Sequence, residues 1–209
     1  MRSKMFKKKY LLIILIVFAA IILRAVLLFA IPLVFNLTAK VEVYDDLAQY
    51  ESYLAYKGSG DSQWRKWGMD ETIWPAKLTE TMNVVDYKMV YYNPWDAQYL
   101  GYLVVDYLPE EYAEEMKRLK ASPSTEYIGY YGVVEETTYE LLAINADPYQ
   151  GFVYALTDGS GKIIYAEEIF CNYFMDLDYK KYMPADYFLD GFDAGINNPY
   201  QKKMMNEKP

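Results

Sequence analysis

The sequence predicts an α+β protein: one N-terminal transmembrane helix, then one domain built on an antiparallel β-sheet with flanking helices. Three observations predict it. An apolar run extends from Leu11 to Phe35, two strand-like segments flank Asn93-Pro94-Trp95-Asp96, and an amphipathic helix precedes three more strand-like segments joined by turn residues. The chain divides into a basic cytoplasmic tip (1–10), a transmembrane anchor (11–35), a juxtamembrane linker (36–43), an extracytoplasmic α+β domain (44–193) and a polar C-terminal tail (194–209).

The apolar run is broken only by Arg24 and Pro32. About 20 apolar residues cross a bilayer core, so Leu11 to Ala30 suffices, and the pieces on either side of Arg24 are each too short to cross alone. A central arginine costs roughly 2.5–3.5 kcal/mol on insertion scales, which the surrounding leucine, isoleucine and valine side chains offset. Arg24 either snorkels toward the outer interface or pairs with a carboxylate in another helix. Arg2, Lys4, Lys7, Lys8 and Lys9 precede the run with no acid among them, so the positive-inside rule keeps the N-terminus cytoplasmic and places the rest outside. The run exceeds a signal peptide's apolar region of about 7–15 residues, and Leu37-Thr38-Ala39 is a poor cleavage site, so an uncleaved anchor is expected.

In the outer domain, Val43, Leu47, Tyr50 and Leu54 recur at helical spacing after Asp45 and Asp46, with Gly58 and Gly60 as stops. A loop follows, and Trp67 to Glu71 leads into a short helix that Pro75 ends. Val84 to Tyr92 alternates, with Val85, Tyr87, Met89 and Tyr91 on one face and Asp86 and Lys88 on the other, and Tyr99 to Tyr107 returns as a more uniformly apolar strand. Pro109 suits the first position of a helix, Glu110 and Glu111 its N-terminus, and Lys117, Arg118 and Lys120 its C-terminus, with Tyr112, Met116 and Leu119 on one face. Glu126 to Val134 reads as extended. Tyr139–Asn145, Gly151–Thr157 and Lys162–Phe170 form a meander turned at Asp147-Pro148 and Asp158-Gly159-Ser160-Gly161, and a short helix is expected around Ala185 to Leu189.

Charge and composition exclude several classes. All 29 acidic residues follow residue 39 while six of the 21 basic ones precede it, so the outer part carries a net −14, which repels phosphate backbones and disfavours nucleic acid. Histidine is absent, which removes serine and cysteine triads and the usual zinc and copper sites. No cofactor or metal is expected. Cys171 is the single cysteine, reads as a buried structural thiol, and leaves no internal disulfide, as suits an exported bacterial protein.

Tyrosine is conspicuous at 24 residues, 23 of them in the outer domain, too many rings for all to be buried in one core. The candidate binding residues are aromatic: Trp64 and Trp67 around Arg65-Lys66, Tyr91, Tyr92 and Trp95, and Tyr127, Tyr130 and Tyr131. Each could equally fill a core margin or dock a loop, which is the commoner fate of such rings. Acidic pairs at Asp70/Glu71, Asp176/Asp178 and Asp190/Asp193 could serve acid–base chemistry, but nothing in their spacing selects among them. No catalytic motif is present. The expectation is therefore a non-enzymatic, membrane-anchored module that meets the lipid bilayer through residues 11–35 and recognises a protein or an envelope polymer through aromatic surface. A histidine-free carboxylate-pair hydrolase of cell-wall glycans is one alternative, and an immunity-like or accessory subunit of another membrane protein is a second.

Overall fold

The computed structural model describes residues 2–55, 62–135 and 138–207 of the chain, which form two compact units, 1–39 and 40–209. The first is helical from Arg2 to Thr38: α1 (Arg2–Ala25), a π-helical turn (Val26–Ala30) and α2 (Ile31–Thr38). Its stretch Leu12–Ala30 is unburied and is long and apolar enough to cross a membrane, a property it shares with signal sequences.

The second unit is α+β. Six strands form one antiparallel sheet in the order β1-β2-β3-β6-β5-β4: β1 (Val41–Tyr44), β2 (Asn83–Tyr92), β3 (Gln98–Asp106), β4 (Glu140–Asp147), β5 (Gly151–Thr157) and β6 (Lys162–Ile169). The hairpin and the meander stand where the sequence places them. They join through β3 and β6, with Leu103 opposite Tyr165. Asp147 accepts the amides of Tyr149 and Gln150 at one turn of the meander, and Asp158 accepts that of Ser160 at the other. α3 (Pro109–Lys120) carries Pro109 in its first turn and the charge gradient read from its sequence, and α4 (Pro199–Asn206) is capped by the Asn198 side chain.

Both faces of the sheet are buried, which explains the uniformly apolar β3 and β5. One face, including Met89, Leu103, Val153 and Tyr165, is covered by Tyr50, Trp64, Trp74 and α3 through Leu119. The other, including Leu100, Tyr102, Phe152 and Ile164, is covered by Tyr131, Leu177, Tyr179 and Phe192. Strands sandwiched between two apolar layers lose alternation and read as continuous hydrophobic runs.

Several local expectations are corrected. The helix expected from Val43 to Leu54 is the edge strand β1 followed by a 3-10 helix, Leu47–Tyr53, capped by Asp46; Val-Glu-Val-Tyr is strand-prone and finds the free edge of β2. Gly58 and Gly60 lie outside the described residues. A bulge between Val84 and Asp86 turns Val85 outward, so it does not share the face of Tyr87 and Met89. The opposite face of β2 is covered as well, with the Lys88 ammonium over the Tyr102 ring. Glu126 to Val134 is not a strand but a turn containing a 3-10 helix at Tyr130–Gly132. The helix expected between Glu71 and Pro75 is a single turn closed by the Trp74 amide on the Glu71 carbonyl, and the one near Ala185 is a 3-10 turn, Ala185–Tyr187.

That second turn-rich layer is locked by a glycine crossing. Gly132 and Gly191 both have φ near +83°, and a Cβ on Gly132 would lie 2.7 Å from the Gly191 carbonyl oxygen. Gly191→Ala therefore combines a left-handed backbone with a backbone clash and should cost about 2–4 kcal/mol, measured by urea unfolding of residues 40–209.

Candidate functional site

The segment Trp64–Trp74 is anchored at both ends. Trp64 lies in a cage of Tyr53, Tyr44, Tyr91 and Tyr99, with ring centroids 4.7–5.9 Å away. Met69, Ile73 and Trp74 are buried in the same core. Between the anchors the chain reverses through three successive left-handed residues, Lys66 (φ 44°), Trp67 (φ 56°) and Gly68 (φ 83°). Only the glycine adopts this conformation freely; each L-residue costs roughly 1–2 kcal/mol. The turn is tied by Gly68 N–H to the Arg65 carbonyl at 2.8 Å, by the Trp67 indole N–H to the Ala97 carbonyl at 2.7 Å, and by the Gln150 amide to the Trp67 carbonyl at 3.2 Å.

What the turn delivers is a lysine to the core. Lys66, Glu71 and Glu167 are each fully buried. The Lys66 ammonium donates to Glu71 and to both oxygens of Glu167, at 2.7 and 2.9 Å, and the second Glu71 oxygen accepts the Ala55 amide. Gly101 on β3 leaves room chiefly for Met89, whose sulfur a Cβ there would overlap, and secondarily for the Glu167 stem, which that Cβ would meet at 3.2 Å. Burial, then the neighbouring Glu71 charge, pushes Glu167 well above the carboxylate range, while the two glutamates outweigh burial at Lys66 and hold it charged. One cation between two acids is neutral when Glu167 keeps its proton.

Above the turn lies a cleft of about 640 Å³, lined by Arg65–Asp70, Ala55, Ala97 and Tyr99, within the size range of small-ligand sites. Arg65, Trp67, Gly68 and Asp70 are exposed along it. Asp70 is the one acid among the described lining residues; Glu71 and Glu167 are sealed beneath.

The candidate aromatics do not form one platform. Trp64 is a core residue, Trp67 is 41% exposed beside the cleft, and Tyr91 is half-buried against Trp64 and Tyr99. Tyr92, Tyr127 and Tyr130 are half-buried on the opposite face of the sheet, where Tyr131 is 1% exposed and packs on Phe170 and Tyr200. Trp95 is exposed in the β2–β3 turn. Glu71 enters the buried cluster through its own member of the Asp70/Glu71 pair. The sequence marks Lys66 only as part of the Trp64–Trp67 motif and gives Glu167 no role, although Glu167-Glu168 inside the apolar run KIIYAEEIF is a visible signal of buried acid. Cys171 is buried, with its thiol pushed up to about 12 by burial and by Asp96.

Glu168 faces the other way from Glu167, into the second core. The Tyr154 hydroxyl lies 2.6 Å from a Glu168 oxygen and 2.7 Å from the Tyr187 carbonyl. A phenol has one proton and the carbonyl can only accept it, so the second short contact is satisfied when Glu168 is the protonated donor to the Tyr154 oxygen. Burial pushes Glu168 up to about 8, in agreement with this proton count, and its other oxygen has no hydrogen-bond partner among the described residues.

Comparison with known protein families, with curated proteins and with solved structures finds no match. Among the described residues no cluster of histidine, cysteine, aspartate or glutamate has the makings of a metal site.

Two outcomes are expected. Lys66→Met leaves Glu71 and Glu167 buried without their cation and should lower stability by about 3–5 kcal/mol in chemical denaturation. For Glu168 the folded value lies above its ordinary 4.5, so its contribution is fully present below about pH 4.5 and is lost as pH rises toward 8. That loss is on the order of 5 kcal/mol at about 1.4 kcal/mol per pH unit, and Glu168→Gln should remove most of this share of the slope in unfolding measured from pH 5 to 9.

Proposed function

We propose that the chain is a membrane-tethered binding module of a bacterial cell envelope, with its N-terminus cytoplasmic and residues 40–209 outside, and that it binds a neutral saccharide of an envelope polymer in the cleft above Lys66–Gly68. The anchor reading is supported by the apolar helix and the basic tip that precedes it. The binding reading rests on one observation: a preformed cleft with an exposed indole, a guanidinium and a carboxylate at its edge, on a turn held in a strained conformation by a buried ion cluster. An indole face with convergent polar groups suits a sugar ring, which offers C–H faces and hydroxyl edges. The net −14 outside disfavours polyanionic polymers and leaves neutral glycans as the fitting ligands.

Binding is favoured over hydrolysis by the placement of the acids. A glycosidase needs two carboxyl groups roughly 5–10 Å apart across the scissile bond. Here Asp70 alone borders the cleft among the described lining residues, and the glutamates below it are inaccessible to a substrate.

The test is retention of residues 40–209 on purified neutral wall polysaccharide and on an array of neutral oligosaccharides. Trp67→Ala should weaken retention about five- to thirtyfold, with Trp67→Phe intermediate, since stacking contributes on the order of 1–2 kcal/mol. No reducing ends should appear. Unchanged retention in Trp67→Ala, or release of wall fragments by the unaltered domain, would reject this reading.

A further inference from the structure

We infer that the N-terminal helix pairs through Arg24 with the membrane span of a different protein, one that carries an Asp or Glu at matching depth. This rests on the anchored reading above and adds a partner to it. Within the crossing stretch 11–30, Arg24 lies thirteen residues after Leu11 and six before Ala30, so at 1.5 Å per residue about 20 Å and 9 Å of helix flank it. The outer interface is the nearer of the two, and an arginine stem approaches it only by extending toward the helix C-terminus. Side chains on a helix slant toward its N-terminus, so the guanidinium is directed along the longer of the two paths, which works against snorkelling to the outer surface.

Among the described residues Arg24 makes no ion pair or hydrogen bond, and no part of the Leu12–Ala30 stretch is buried. The next residue but one begins the π-helical turn Val26–Ala30, a departure from regular helix that is rare and concentrates at functional sites. One turn earlier, on the same face, Ala20 leaves space for another helix to approach closely. A second copy of this chain does not supply the counter-charge, because residues 11–35 contain no Asp or Glu and pairing would set two cations at one depth. The complement is therefore an acid on a foreign span, bonded to the planar fork of the guanidinium.

The experiment uses the full chain reconstituted in phosphatidylcholine vesicles, so that no anionic lipid competes. Energy transfer is measured to synthetic leucine-rich spans carrying one Asp at mid-depth, the same Asp two turns nearer an end, or Leu throughout. The mid-depth Asp span should associate at least about fivefold more tightly than the other two. Arg24→Leu should abolish that preference while the chain remains in the bilayer, and Arg24→Lys should retain part of it. Equal association of all three spans with an inserted chain overturns the partner inference and leaves the anchor standing. Release of the chain from cell membranes by carbonate, or a mature N-terminus near Lys40, overturns the anchor and the inference together.

Discussion

β6 carries two adjacent carboxylates, and because a strand alternates, Glu167 enters one core and Glu168 the other. A sheet buried on both faces offers neither of them water, and an ionised carboxylate in such a place is costly by several kcal/mol. The two sides meet this constraint differently. On one face the chain brings in a cation from more than one hundred residues away, and Lys66, shared between Glu71 and a Glu167 that keeps its proton, leaves the three groups neutral together. On the other no cation arrives, and Glu168 stays a neutral acid within the Tyr154–Tyr187 hydrogen-bond chain. Much of the first covering layer follows from that difference. The route of residues 64–74 is the route that puts an ammonium beside Glu167, and Gly101 is bare so that Met89 and the Glu167 stem fit.

The tyrosines serve the same economy of irregular chain. The layers over the sheet contain few long helices, so their loops cannot satisfy themselves and are tied down by phenols. Tyr50 donates to the Pro75 carbonyl, Tyr131 to that of Pro148 and Tyr99 to that of Gln63. Tyr165 donates to Glu115 and Tyr107 can then donate to Tyr165, which fixes α3 to the sheet. Each ring contributes apolar area to a core and one polar bond at its margin. A count of 23 tyrosines in one domain thus has a structural use that does not require a continuous aromatic surface, and the opposite-face placement of Trp64 and Tyr131 reflects it.

The sheet was legible where local chemistry and tertiary packing agree. Asn93-Pro94, Asp147-Pro148 and Asp158-Gly159 mark their turns whatever surrounds them, and Pro109 with its flanking charges defines α3 by itself. Reading failed where a partner decides. Val41–Tyr44 has helical spacing to the residues after it, but the open edge of β2 captures it as a strand. The Val85 bulge depends on β3's register, and the folded-back turn at Tyr130–Gly132 on a carbonyl crossing with Gly191. The candidate site was half legible. Trp67 and the Asp70/Glu71 pair were singled out, but their meeting with Lys66 and Glu167 is a contact across the fold that no local spacing encodes. What the sequence does contain is the anomaly of two glutamates in a strand otherwise made of buried apolar residues.

That anomaly bears on why the turn is strained. Glycine at 66 or 67 would relieve the left-handed backbone, as Gly68 does next to them. At position 66 glycine would leave Glu71 and Glu167 facing each other in a dry core, so the lysine is explained by folding alone. At position 67 it would not: the indole contributes a single bond to the Ala97 carbonyl and stays largely outside the core, a small return for a bulky residue in a conformation that disfavours it. Strain at Lys66 is a consequence of charge balance, whereas strain at Trp67 is left without a structural purpose of comparable size. The residue that stability explains least is the one that stands at the edge of the cleft.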